Sequence, residues 1–167
     1  VHRIFCTKLD QLIRSARQVN NSKPDWVIDK VRSAISSYCS KHGQATSRDV
    51  TLAIYGLSFK PDIDDLRESP ALEIVRTLAV NHPGPILIVE PNIQSLPPGL
   101  GAAKLSDFRV ALTQGQVHVM LVDHSPFRGS PAPEGIVVDT RGVWNRVKRD
   151  GKAAAWQSKR DRVYKGG

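Results

Sequence analysis

The sequence predicts an α/β protein built on a doubly wound, mainly parallel sheet, preceded by two connector helices. Three observations predict it. Four short runs, residues 51–57, 85–89, 117–122 and 135–138, are apolar almost throughout rather than alternating. A strand reads this way when helices cover both faces of a parallel sheet, because neither face then meets water. Stretches with helical spacing stand between the runs, and the unusual polar residues gather just after each run ends, where such sheets place their ligands.

Taken in order, Leu9, Leu12, Ile13, Ala16 and Val19 recur at helical spacing with Arg14, Arg17 and Gln18 between them, which predicts an amphipathic helix over 8–20. Asn20-Asn21-Ser22 interrupts it. Ser22, Pro24 and Asp25 then supply a capping hydroxyl, a proline preset for the first turn and an acid at the positive end of the helix dipole. A second helix therefore starts there and runs to about His42, where Gly43 is a natural stop. Trp26, Val27, Val31, Ile35 and Tyr38 form its expected buried stripe. Within the sheet region, Pro70 to Asn81 predicts a helix with Ala71, Ile74, Val75 and Leu78 inward, and Ser106 to Thr113 a shorter one. The chain divides into an unassigned segment 1–10, a helical connector 11–47, an α/β domain 48–145 and a basic extension 146–167.

At 167 residues there is room for one ordinary domain with appended elements. The hydrophobic share of 40% and charged share of 24% suit a globular protein, and no apolar run approaches the roughly 20 residues that a membrane span requires. The start, Val-His-Arg-Ile-Phe-Cys, carries no secretion pattern, so the expected location is cytoplasmic. Cys6 and Cys39 are too few for a disulfide scaffold or a four-cysteine metal site. Of the net charge of +8, residues 146–167 hold +6, from eight Lys or Arg against two Asp. That extension reads as a solvated, disordered tail. A nucleic-acid arm is the sharper reading, but no aromatic-basic platform or reading helix accompanies it, and no nucleic-acid partner is expected.

The strand-end loops are Gly56 to Pro70, Glu90-Pro-Asn92, Asp123-His124 and Asp139-Thr-Arg141. Lys60, Arg67 and Arg141 place three cations around one rim, beside the helix start at Ser69-Pro70 whose free amides also favour anions, which points to a phosphate-bearing ligand. Against this, Lys60 and Arg67 lie among Asp62, Asp64, Asp65 and Glu68 and would equally form exposed ion pairs. Neither Gly-x-Gly-x-x-Gly nor a P-loop is present. Asp123-His124 has the composition of a proton-transfer pair, though a strand-end His beside an Asp is more often structural. Glu90 stands where a ribose-binding acid often sits, with loop hydrogen bonding as its plainer role.

At Phe59-Lys-Pro-Asp-Ile-Asp-Asp-Leu-Arg-Glu-Ser-Pro70 the sequence resembles the signature loop of the UDP-glucose/GDP-mannose dehydrogenase family's C-terminal domain, a Rossmann-like fold. Further pieces match in order: Gln11 to Pro24, Val89-Glu-Pro-Asn-Ile93, Leu121-Val-Asp-His-Ser125 and Val138-Asp-Thr-Arg-Gly-Val-Trp144. The subfamily flavour is that of UDP-N-acetylmannosamine dehydrogenases. The resemblance implies a UDP-sugar ligand. Phe59 and Lys60 would contact the UDP-sugar, Arg67 would reach substrate or cofactor near the domain cleft, and Arg141 would meet the substrate.

The family's reaction is a four-electron oxidation of a sugar C6 alcohol, with two NAD and a cysteine that holds the aldehyde between hydride transfers. The family's NAD-binding half and its Gly-Gly-His-Cys-Ile-Pro stretch are not among these residues. Cys6 lies between Phe5 and Thr7 and too close to Leu12 to be that cysteine. The expectation is therefore a UDP-sugar-binding portion, inactive alone, with no catalytic residue or metal of its own, no bound NAD and a homodimer through its N-terminal helices. The alternative is a non-catalytic module that pairs with a full-length dehydrogenase or another chain.

Overall fold

The computed structural model of the chain describes residues 24–144. The predicted helix over 8–20, segment 1–10 with Cys6, and the basic extension from 146 lie outside the described residues. Helix α1 occupies residues 24–41 of the described chain and ends just before Gly43, as the predicted stop requires. There follow β1 (Leu52–Tyr55), α2 (Pro70–Asn81), β2 (Ile86–Val89), β3 (Lys104–Leu105), α3 (Phe108–Gln114), β4 (Val117–Met120) and β5 (Ile136–Asp139). Short 3-10 turns occupy Ser47–Asp49 and Ser125–Phe127.

All five strands are parallel, in the order β3-β2-β1-β4-β5. Four are the predicted apolar runs. The fifth, Lys104–Leu105, was not predicted: it is two residues long and exposed, and an edge strand of that kind carries no apolar run to read. Alternate residues of the four longer strands feed two cores. Leu52, Ile54, Ile86, Ile88, Val117 and Val119 pack toward α1 and α2, while Ala53, Tyr55, Val89 and Met120 pack toward Ala111 of α3, Phe127 and Trp144. Both faces of the sheet are covered, which is why its strands show no polar side.

The α1 stripe needs a correction. Val27, Ile28, Val31 and Ala34 are buried, with Ile35 and Tyr38 packed at the margin, but Trp26 is 54% exposed. Helical geometry explains it: Trp26 shares its face with Asp29 and Lys30, three and four residues on, and the Lys30 Nζ lies 5.6 Å over the indole ring. Helix α2 starts as its residues dictate. The Ser69 hydroxyl accepts the Leu72 N–H at 3.4 Å and donates to the Leu57 carbonyl at 2.6 Å, and Pro70 opens the first turn.

Candidate functional site

The strand order reverses between β1 and β4: the chain steps outward through β2 and β3, then returns to the other side of β1. Loops leaving these two strands diverge, and the crevice between them is where open α/β sheets bind ligands. A cleft of about 980 Å³ opens there. Its walls are residues 24–27 of α1, residues 58–59, the first turn of α2, residues 121–122 after β4 and residues 140–141 after β5. Gly56 allows the two central loops to converge. Its φ is +86°, and a Cβ there would stand 2.4 Å from the Cβ of Val122.

The long loop after β1 is fastened from beneath by buried polar groups. Glu90, at the end of β2, accepts the Leu57 N–H at 2.7 Å, the Ser58 N–H at 3.2 Å and the Asn92 N–H at 3.2 Å. The fourth partner is His124, whose Nε2 lies 3.0 Å from Glu90 Oε2. The imidazole's other nitrogen, Nδ1, accepts the Asp62 N–H at 2.9 Å, with the Asn92 side-chain amide 3.1 Å away. Asp62 has φ +63°, a left-handed conformation that Asp tolerates better than most residues, and its carboxylate accepts the Ser125 N–H at 2.7 Å and hydroxyl at 2.6 Å. Burial alone would raise the Glu90 carboxyl, but the hydrogen bonds from His124, Leu57 and Asn92 outweigh it and hold the group below its ordinary value. The Ser125 hydrogen bonds likewise lower Asp62. Glu90 thus takes the loop-bonding role, with no oxygen left facing a ribose, and His124 is a buried strut rather than an exposed proton-transfer group.

The cleft brings Phe59 and Arg141 together as lining residues. Phe59 is 47% exposed, and Lys60 follows it with its Nζ 5.7 Å over the Phe59 ring. Arg141 donates from Nε to the Leu121 carbonyl at 2.7 Å. Its backbone is set by Asp139, which accepts the N–H groups of Arg141, Gly142 and Trp144 at 3.0, 2.7 and 2.9 Å. Arg67 is not brought to the cleft. Its guanidinium forks onto Asp65, Nε to Oδ1 at 3.0 Å and NH2 to Oδ2 at 2.9 Å, and holds that carboxyl down at about 2. The ion-pair alternative therefore describes Arg67; Lys60 is exposed beside Phe59, and Arg141 lines the cleft with its Nε also 3.9 Å from Asp123 Oδ1.

Sequence reasoning missed Trp26 as a cleft residue, although its polar helical neighbours signalled the exposed face. It also passed over Asp139 and Asn92 as loop-setting groups, for which short polar residues just after strands were the only signal. Among the described residues no group of three or more His, Cys, Asp or Glu could hold a metal ion, and no helix is long and apolar enough to cross a membrane. NAD does not fit the described residues in the dinucleotide manner: the first strand–helix turn lacks the glycine fingerprint, and the acid ending β2 is spent on backbone amides.

A sheet of this order, with a cleft at its reversal point presenting an aromatic ring and a guanidinium, defines a doubly wound α/β domain with its ligand crevice at the switch point. The sequence agrees: residues 53–146 match the UDP-glucose/GDP-mannose dehydrogenase family, UDP binding domain. The chain belongs to this family. It is 47% identical over 142 residues to the UDP-N-acetyl-D-mannosamine dehydrogenase of Yersinia pestis, covering 82% of this chain and 33% of that protein. It is 42% identical over 138 residues to the NDP-N-acetyl-D-galactosaminuronic acid dehydrogenase of Ralstonia solanacearum, covering 81% and 30%. The chain thus spans about a third of the length of these relatives. The fold is also that of a UDP-N-acetyl-mannosamine dehydrogenase from S. aureus, with a TM-score of 0.61 and 24% identity over 82% of this chain and 31% of the other. A UDP-glucose dehydrogenase from Pyrobaculum islandicum gives 0.60 and 21% over 78% and 28%.

Proposed function

We propose that this chain is the UDP-sugar-binding portion of an NAD-dependent UDP-sugar 6-dehydrogenase, with UDP-N-acetylmannosamine as the sugar nucleotide and surface polysaccharide precursors as the product class. The observation that carries the reading is the joint placement of Phe59 and Arg141 on one cleft at the strand-order reversal. Family membership and the 47% identity to a UDP-N-acetyl-D-mannosamine dehydrogenase support the nucleotide and the sugar.

In this reading the cleft holds and orients the ligand. The Phe59 ring offers an apolar face, and Lys60 beside it and Arg141 across the loops offer cations to the two phosphates. Arg67 keeps a reach toward substrate or cofactor, because an exposed ion pair such as its fork onto Asp65 is cheap to break. Hydride transfer to NAD and the covalent cysteine step belong to residues other than those described. The chain alone binds without oxidising, in the cytoplasm, as a homodimer through its connector segment 11–47. Calorimetry tests the binding: UDP and UDP-N-acetylmannosamine give saturable heat, weakened by Lys60→Ala and Arg141→Ala. An absence of heat with either ligand overturns the reading.

A further inference from the structure

We propose that the buried Glu90–His124 pair is the positioning device of this cleft, fixing the Phe59–Lys60 tip by fastening its loop on both sides. The inference rests on the reading of the cleft as a UDP site. Packing does not fix the tip, since Phe59 is 47% exposed and Lys60 is exposed too. The backbone is held instead: the Phe59 N–H donates to the Asp65 carbonyl at 2.9 Å within the loop, and both flanks are fastened from beneath. Upstream, Glu90 Oε2 accepts the N–H groups of Leu57 and Ser58 at 2.7 and 3.2 Å. Downstream, His124 Nδ1 accepts the N–H of Asp62 at 2.9 Å.

The two anchors form one unit. An Nδ1 that accepts leaves the ring proton on Nε2, and Nε2 lies 3.0 Å from Glu90 Oε2. Between the anchors, the Ser58 hydroxyl donates to the Lys60 carbonyl at 2.6 Å. Glu90 and His124 come from different strand ends, neither lines the cleft, and both side chains are fully buried. They act on a ligand only through the loop they hold. Binding groups must be held to roughly half an ångström, so releasing one anchor weakens binding more than it weakens the fold.

Two substitutions in the full 167-residue chain separate positioning from mere stability. His124→Asn offers its Oδ1 where Nδ1 stood and still accepts the Asp62 N–H. His124→Gln offers its Nε2 toward Glu90 and leaves that N–H without its acceptor. Titrated with UDP by calorimetry, the Gln variant loses about tenfold or more in affinity and the Asn variant about threefold or less, at similarly lowered melting temperatures. Equal losses that follow the melting temperatures overturn the clamp alone. An unaltered chain that gives no heat overturns the ligand reading and the clamp with it. Amide exchange on the unaltered chain needs no variant: Leu57, Ser58 and Asp62 are protected before UDP is added. Protection that appears only with UDP means that the ligand orders the loop, and overturns the proposal.

Discussion

His124 Nε2 stands 3.0 Å from Glu90 Oε2, with both side chains wholly out of solvent. A carboxylate in that position persists only because its oxygens are filled, here by three backbone N–H groups, the Asn92 side-chain amide and the imidazole. The same bonds lower the Glu90 carboxyl beneath its ordinary 4.5. The unfolded chain therefore takes up this proton first as pH falls. The stability Glu90 contributes is complete above about 4.5 and is lost as pH drops through the lower folded value. Denaturant unfolding at pH 7, 5, 4 and 3 checks this. Glu90→Gln costs about 1.5–3 kcal/mol at pH 7, as expected of hydrogen bonds to a charged group, and its acid decline is shallower than that of the unaltered chain. Parallel declines would show that Glu90 is not the linked group.

Arg141 tests the cation side of the cleft. Its Nε is committed to the Leu121 carbonyl, which aims the guanidinium while the side chain stays 42% exposed. Arg141→Ala lowers UDP affinity about tenfold or more and leaves stability within about 1 kcal/mol, since a half-exposed side chain contributes little to the core. Arg141→Lys recovers only part of the affinity, because an ammonium keeps the charge but not the planar fork. Calorimetry of both variants beside the unaltered chain gives the ranking, and identical affinities for Ala and Arg would remove Arg141 from the site.

Much of the fold was legible because its signals are local. Ser69-Pro70 marks a helix start through a hydroxyl and a fixed φ, and α2 begins there; the apolar runs at 51–57 and 117–122 contain β1 and β4. Trp26 was misjudged because hydrophobicity was counted ahead of phase: Val27, Val31 and Ala34 set the buried face, and Trp26 falls beside Asp29 and Lys30. Two residues that line the cleft, Phe59 and Arg141, could be picked out from the sequence, but their geometry could not. Phe59 and Arg141 meet in one cleft, while Arg67 turns to Asp65, and neither outcome follows from residue order. The Glu90–His124–Asp62 linkage joins residues 34 and 62 positions apart in the chain, separations over which only tertiary structure decides the pairing.

Trp26 gives a test of that correction. With the ring 54% exposed at the cleft wall, Trp26→Ala changes stability by less than about 1 kcal/mol. Val31→Ala, one turn along and fully buried, costs about 2 kcal/mol through lost transfer energy and a residual cavity. Thermal or denaturant unfolding of the two variants separates a cleft residue from a core residue. A Trp26 variant as unstable as the Val31 variant would return Trp26 to the core.

Gly56 carries the heaviest single-residue expectation. It sits where β1 gives way to the long loop, its N–H donated to the Val89 carbonyl at 2.9 Å and its φ at +86°. Any L side chain is strained at that φ, and an added Cβ would also meet Val122 at its Cβ, carbonyl oxygen and Cα, at 2.4, 2.8 and 2.9 Å. Two of those three atoms are backbone, so a rotamer change cannot relieve the clash. The loops after β1 and β4 must part, and those loops carry Phe59 on one side and His124 on the other. Gly56→Ala therefore costs about 3 kcal/mol or more, placing strain and overpacking at one position. Because it opens the cleft, it also lowers UDP affinity in whatever fraction stays folded. Circular dichroism melts with parallel calorimetry check both effects, and a variant that melts within a degree or two of the unaltered chain would show that the two loops do not meet as described.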